Sequence, residues 1–218
     1  MRNDFSSAKL VRLLGQWTPM EADAGGMDFA ERMGLWVNAF DAIDLQASLQ
    51  AIKAIETAAA GGAKGVRPIR ADALDDDVRR VRGALAHAIA QPLVPLHGAT
   101  EGTYAPYHQR HLELQRQMDQ MIRPLREHVR QAIARVSVRL HQLAALDAAL
   151  DQVIAPREQT ILPTAATLMR RRFEHLKKAN EPLEAFEQDW RQALLAELDL
   201  RLETVWGLVE ALHEELTH

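Results

Sequence analysis

The sequence predicts an all-α protein made of long antiparallel helical hairpins that form a coiled-coil-like helix bundle. Ala, Leu, Arg, Glu and Gln dominate the 218 residues, and these residues lose little side-chain freedom in a helix. Aromatic residues make up 5% of the chain, and β-branched residues form no alternating run that would indicate a strand. Apolar residues recur instead at steps of three and four, which is the spacing of one helix face.

Two helices are predicted in the N-terminal part of the chain. The first spans about residues 4–15, and the second spans about residues 28–60. Asp28 is a suitable N-cap for the second helix, because Glu31 follows it at the spacing of a capping box. The glycine-rich stretch 61–65 then has the composition of a linker.

This linker predicts a division of the chain into two parts. Residues 1–62 form an N-terminal helical pair, and residues 70–218 form a helical bundle with a long central hairpin. The two parts are either separate domains or one continuous domain. The bundle begins with a helix over about residues 72–91, whose first turns carry four aspartates where the helix dipole favours anions.

The centre of the bundle is predicted to be a helix over about residues 105–155, with apolar residues at coiled-coil spacing throughout. Pro124 interrupts this pattern, and we expect it to kink the helix or to split it in two. Pro156 is expected to end the helix. A further helix follows Pro163, and the last helix spans about residues 183–216.

Charge is unevenly distributed along the chain. Residues 123–178 contain 11 basic and 5 acidic groups, whereas residues 179–218 contain 2 basic and 10 acidic groups. We therefore expect the basic helices to pack antiparallel against the acidic last helix, with charge pairs that fix register and partner choice. The predicted acidic partners of the basic side chains are Glu184, Glu187, Glu197, Glu203 and Glu210.

The candidate interaction residues are the arginines of the basic segment and two tryptophans on or beside apolar stripes. They are Arg126, Arg130, Arg135, Arg139, Arg170, Arg171, Arg172, Trp190 and Trp206. Neutralisation by the acidic helix is the main interpretation of the arginines. Nucleic-acid binding through phosphates is the alternative, although no aromatic side chains interleave the arginines and no recognition helix is apparent.

Catalytic and metal signatures are weak. His108 and His111 lie three residues apart on one predicted helix face and are the only metal candidates, but a site needs three or four converging ligands. A packed or capping histidine is the simpler interpretation. Cysteine is absent, so thiolate chemistry and Cys-based metal centres are excluded. We expect no enzyme activity and no cofactor.

Several stretches of the chain resemble an uncharacterised proteobacterial family, the domain of unknown function DUF3348. The resemblance is strongest over residues 105–176. It rests on YHQRHLELQRQM at 107–118, PLR at 124–126, LAALD at 143–147, PREQ at 156–159 and RFEHL at 172–176. The family brings no activity with it. The resemblance implies an accessory role beside a cell-envelope proton-channel and OmpA-like system.

The predicted function is that of a non-enzymatic scaffold or adaptor acting through protein–protein contacts. Its partner is a second copy in a homodimer or another helical protein, and the resemblance adds a membrane-complex component as a candidate. No apolar run reaches the roughly 18 residues that a membrane span needs. The N-terminus also lacks the apolar region of a signal peptide. We therefore expect a bacterial cytoplasmic protein, located at the inner face of the inner membrane if it serves an envelope complex.

Overall fold

A computed structural model describes residues 9–17, 39–58, 70–93 and 102–217, with the backbone alone at 11, 15–17, 39–42, 56–58 and 156–165. The described residues form six α-helices, and the all-α prediction is confirmed. We number them α1 Lys9–Trp17, α2 Ala39–Ala58, α3 Ala71–Ala90, α4 Ala105–Ile133, α5 Val138–Lys178 and α6 Leu183–Thr217. The bounds of α3 and α6 agree with the predicted ones within a residue.

The chain divides into two compact units, each assembled from three separate segments. Unit 1 consists of Met1–Met20, Asp76–Leu125 and Ile161–Thr204, and unit 2 consists of Glu21–Asp75, Arg126–Thr160 and Val205–His218. The helices α4, α5 and α6 therefore each contribute one segment to each unit. The predicted linker lies outside the described residues, and so does the part of the predicted second helix that precedes residue 39. The boundary near residue 62 therefore stays a prediction.

The predicted single helix over residues 105–155 is wrong in its bounds, because the chain turns at residues 134–137. Helix α4 ends at Ile133, and α5 begins at Val138. Ser137 caps the new helix, since its backbone oxygen accepts from His141 at 2.9 Å and its hydroxyl accepts from the Leu140 N–H at 3.2 Å. Serine is a preferred N-cap residue for this reason.

The prolines do not end helices where the sequence predicts. Pro124 lies inside α4, and the helical backbone of α5 continues through Pro156 and Pro163. A proline removes one backbone hydrogen bond and costs about 3 kcal/mol in an isolated helix. Packing overrides that cost at Pro124, whose own ring is exposed while its neighbours Ile122 and Leu125 are buried.

An antiparallel hairpin joins α5 to α6, as predicted for the basic and acidic segments. Asn180 has a φ of 54° at the end of α5. The N–H groups of Glu181 and Asn180 donate to the carbonyls of Leu176 and Lys177, at 3.0 and 3.2 Å. This is the Schellman arrangement, in which asparagine takes the left-handed position usually held by glycine. Pro182 then follows, so the helix stops within one turn.

Each unit has its own apolar core. The largest fully buried side chains of unit 1 come from its parts of α3, α4, α5 and α6, and they include Leu85, Ile89, Leu114, Met118, Met169, Phe186, Trp190 and Leu194. In unit 2 the fully buried side chains include Val129, Ile133, Leu140, Val205, Val209 and Leu212. Burial of each such side chain contributes roughly 1.5–3 kcal/mol, so helix packing is the main source of stability.

Candidate functional site

A row of polar side chains in unit 1 lies between α4 and α6, and we call it the polar seam. On α4 it consists of Tyr107, His111, Gln115 and Asp119, which are four residues apart and therefore share one helix face. On α6 it consists of Glu187, Glu197 and Arg201. Tyr107 Oη donates to Glu187 Oε1 at 2.9 Å, Gln115 Nε2 donates to Glu197 Oε1 at 3.1 Å, and Arg201 Nη1 donates to Asp119 Oδ1 at 2.6 Å. Residues later in α4 pair with residues later in α6, so the two helices run parallel.

The ion pair between Glu197 and Arg201 lies at the Asp119 end of the polar seam. Glu197 is buried, and the Arg201 Nη2 and Nε atoms lie 2.8 and 3.0 Å from its Oε1 atom. Burial alone would lower the pKa of Arg201, but the charges of Glu197 and Asp119 and their hydrogen bonds raise it overall. Because Gln115 also donates to Glu197, this buried carboxylate has partners from both helices, and the arrangement fixes one register of α4 against α6.

His111 lies in the middle of the seam without a hydrogen bond. Its residue is 1% exposed, and neither ring nitrogen has a hydrogen-bond partner in the structure. The indole nitrogen of Trp190 is also buried without a hydrogen-bond partner. Burial lowers the pKa of His111, and the nearby His108 and Arg201 lower it further, whereas Glu197 raises it. We therefore assign the neutral imidazole to the folded state at neutral pH.

This buried imidazole makes the stability of unit 1 depend on pH. The pKa of His111 is lowered from its ordinary 6.5, so the unfolded chain binds this proton more readily than the folded chain. The free energy of unfolding is then expected to fall as the pH decreases below about 6.5 and to be unaffected by His111 above it. Urea unfolding at a series of pH values measures this dependence.

The matched control for the pH dependence is the exposed His175. We expect His111→Gln to flatten the decrease in urea midpoint between about pH 7.5 and pH 5.5, because it removes the titrating group. His175→Gln should leave the wild-type dependence in place. An identical pH dependence of wild type and His111→Gln would contradict the interpretation.

An aromatic cluster lies at the Tyr107 end of the polar seam. Ring centroids of Phe186 lie 4.9 Å from Tyr107 and 5.0 Å from Phe173, and both pairs are edge-to-face. The hydroxyl of Tyr104 donates to the Ala166 carbonyl at 3.2 Å. Burial raises the pKa of Tyr104 to about 12, and it also raises the pKa of Tyr107, whose bond to Glu187 adds to the effect. Both phenols therefore stay protonated as hydrogen-bond donors.

Unit 2 contains a cluster of two arginines and two aspartates between α4 and α5. The guanidinium of Arg126 binds both carboxylate oxygens of Asp147, at 2.6 and 2.9 Å, and binds Asp151 at 2.6 Å. Arg130 binds Asp147 at 2.6 Å and Asp151 at 2.9 Å. Burial alone would raise the pKa of Asp147, but the hydrogen bonds and charges of the two arginines hold it below its usual value.

A groove of about 360 Å³ lies in unit 2 where α2 rests against α5. Gln142 Nε2 donates to the Ile52 carbonyl at 3.4 Å across this contact. The groove is mostly apolar and is lined by Leu49, Ile52, Arg139, Leu140, Gln142, Leu143, Leu146 and Ala211. Its apolar lining suits it to receive apolar side chains from outside.

The arginines predicted as interaction residues lie in different surroundings in the structure. Arg126 and Arg130 pair within the basic segment, so their predicted pairing with the acidic last helix is wrong. Arg172 does bind α6, through Asp189 at 2.8 Å, and Arg139 lies 3.8 Å from Glu215. Arg170 pairs with Glu174 on its own helix, and Arg135 and Arg171 are exposed.

The predicted tryptophans and histidines also lie in different surroundings. Trp190 is buried in the core of unit 1, whereas Trp206 is half-buried in unit 2. His108 is exposed and His111 is buried, and no third metal-ligating side chain joins them among the described residues. Three such side chains converge instead in unit 2, at Asp72, Asp75 and His213.

The family model for a protein of unknown function, DUF3348, matches residues 1–214. The chain belongs to the DUF3348 family. The match extends well beyond the resemblance at residues 105–176, so the polar seam and the charge cluster both lie within the family domain. No curated protein and no solved structure matches this DUF3348 chain. Within the described ranges, no helix has the length and apolar character to cross a membrane.

Proposed function

We propose that this DUF3348 protein is a non-enzymatic helical scaffold or adaptor that acts through protein–protein contacts at unit 2. The observation that carries the proposal is the number of exposed apolar side chains in unit 2, one of which, Leu49, lines the groove. Among the described residues, six of the nine large exposed apolar side chains belong to unit 2. They are Ile43, Leu49, Val138, Leu150, Ile154 and Leu216.

The arrangement of these side chains favours a helical partner. Leu150 and Ile154 lie four residues apart on α5 and so share one face, next to the half-buried Leu146 one turn earlier. Ile43 on α2 is 62% exposed. Single exposed apolar side chains are common, but several of them in a unit that also has an apolar groove are typical of a contact surface. Arg139 at the groove offers a charge for a carboxylate on the partner helix.

The form of the scaffold that we propose is a homodimer, in which two copies join the same surface across a two-fold axis. A partner helix from another protein is the alternative form. The resemblance to a family associated with envelope machinery supplies the class of candidate, namely a membrane component of a proton-channel system. Both forms use the same surface, and a substitution in the groove weakens both.

Light scattering coupled to gel filtration tests the homodimer. At roughly 50 µM we expect a dimer, since a micromolar complex is largely associated there. Leu49→Asp should weaken the dimer at least about tenfold by placing a charge among apolar contacts. Leu200→Asp is the matched control, because Leu200 is 41% exposed in unit 1 and Leu49 is 42% exposed in unit 2.

A strictly monomeric wild type, together with no co-purification of a helical or membrane partner that depends on Leu49, would refute the scaffold. The nucleic-acid alternative is tested by gel shift at about 50 and 200 mM salt, where phosphate contacts give a steep loss of affinity. The ion pairs of Arg126, Arg130 and Arg172 reduce the charge available for phosphates, so we favour the protein partner.

A further inference from the structure

Four aspartates lie in the first two turns of α3, and the structure separates them into two pairs. Asp76 and Asp77 each form an ion pair with the arginine three residues further along the same helix, at 3.2 and 3.0 Å. Asp72 and Asp75 lie instead near the imidazole of His213, which comes from the C-terminal part of α6. The first pair is explained within the helix, whereas the second pair meets a ligand-type side chain from elsewhere in unit 2.

The geometry of Asp72, Asp75 and His213 is close to that of a metal-binding set. One oxygen or nitrogen of each residue lies within 4.8 Å of those of the other two, and His213 Nε2 is 2.9 Å from Asp75 Oδ2. Ligand atoms that share a metal at about 2.1 Å in a tetrahedral arrangement are about 3.4 Å apart. The set must therefore contract somewhat to hold an ion, and Asp72 is its exposed member.

We propose that Asp72, Asp75 and His213 form a binding site for a divalent transition-metal ion in unit 2. Two carboxylate oxygens with one imidazole nitrogen suit ions such as Zn²⁺ or Mn²⁺, whereas Ca²⁺ and Mg²⁺ prefer oxygen ligands alone. The side chains of His213 and Asp75 are 41% and 16% exposed, so an ion has access from solvent. Three protein ligands leave one or more coordination positions for water or for a side chain of a bound partner.

A bound ion would connect the start of α3 to the end of α6. His213 and Asp75 are 138 residues apart in sequence, and the contact between their side chains joins the two elements within unit 2. Coordination of the His213 and Asp75 side chains to the ion would replace the hydrogen bond between them and would stabilise unit 2 as the ion concentration rises above the dissociation constant. This inference rests on the ligand set alone and is independent of the proposed scaffold function.

Calorimetric titration of the full chain with Zn²⁺ at about pH 7.5 tests the site. We expect one Zn²⁺ per chain and an affinity at least about tenfold weaker in His213→Gln, because changes even outside the ligand set cost tenfold or more. Asp72→Asn should give a similar loss, and it leaves the contact between His213 and Asp75 in place. Asp76→Asn is the matched control, which should bind as the wild type does.

Two results would overturn the proposal. One is a wild-type chain that binds no Zn²⁺ and no Mn²⁺ at about 1 mM. The other is a His213→Gln or Asp72→Asn variant that binds as tightly as the wild type, with circular dichroism showing unchanged helix content. Loss of binding in His108→Gln but not in His213→Gln would place the ion on another histidine and would likewise refute this site.

Discussion

Asp147→Ala is expected to lower the free energy of unfolding by about 3–5 kcal/mol, because it breaks a buried cluster of opposite charges. The side chain of Asp147 is 7% exposed and that of Arg130 is 11% exposed. Without Asp147, the two guanidinium groups are left with the partly exposed Asp151 and with the exposed Glu127, which lies 3.4 Å from Arg130. Urea unfolding followed by circular dichroism measures the change in midpoint and in slope.

The control is Asp199→Ala, which breaks the ion pair of Asp199 with Arg82, where both side chains are more than 40% exposed. Solvent screens that pair, so we expect a loss of about 0–1 kcal/mol. Equal losses in the two variants would contradict the special role of the buried cluster.

The contribution of Asp147 to the free energy of unfolding should also be complete above pH 3.8, its ordinary pKa, and should be lost as the pH falls through the lower pKa of the folded state.

Phe186→Ala is expected to destabilise unit 1 by about 3–5 kcal/mol. Phe186 is 1% exposed, and its ring meets those of Tyr107 and Phe173 at centroid distances of 4.9 and 5.0 Å. Removing the ring leaves a cavity and ends three edge-to-face contacts, the third being with Tyr104 at 6.1 Å. Scanning calorimetry should show a transition temperature lower by roughly 6–20 °C for a chain of this length.

Leu183→Ala provides the comparison for Phe186, because Leu183 lies one turn away on α6 and is 43% exposed. Its truncation should change the free energy of unfolding by no more than about 0.5 kcal/mol. A Phe186→Ala variant that unfolds within 1 °C of the wild type would show that the aromatic cluster does not hold unit 1 together.

Sequence patterns predicted the helices best where two signals agreed. Helix α6 has a long apolar stripe and starts directly after Pro182, and α3 combines its stripe with acidic residues in its first turns. The turn at residues 134–137 was missed, because Val136 and Leu140 continue the apolar spacing across it. The available signal was Ser137, the only serine between residues 49 and 218, which is a strong N-cap.

The missed turn explains the incorrect charge partners. Once the chain reverses at residues 134–137, Arg126 and Arg130 come to lie opposite Asp147 and Asp151, at separations of 17 to 25 residues. A single helix over this region would keep those charges far apart, so the acidic last helix was the remaining candidate. Register in a hairpin depends on where the chain turns, and Ser137 is the local residue that indicates the turn here.

The polar seam was partly visible in the sequence. The sequence favours a packed or capping histidine at His111, and its burial agrees with a packed one. The signal that was not used is the spacing of four from Tyr107 through His111 and Gln115 to Asp119, which sets polar groups on a face that also carries the apolar stripe. Their partners on α6 lie about 80 residues away, and no local pattern predicts such a contact.

The interleaving of the two units has a consequence for mapping activities by truncation. Unit 1 needs segments on both sides of residues 126–160, and unit 2 needs segments on both sides of residues 76–125. No single cut of the chain releases either unit whole, so deletion fragments would report incomplete folding rather than the location of a binding surface. Point substitutions such as Leu49→Asp, made in the intact chain, are the appropriate tool for assigning surfaces in this protein.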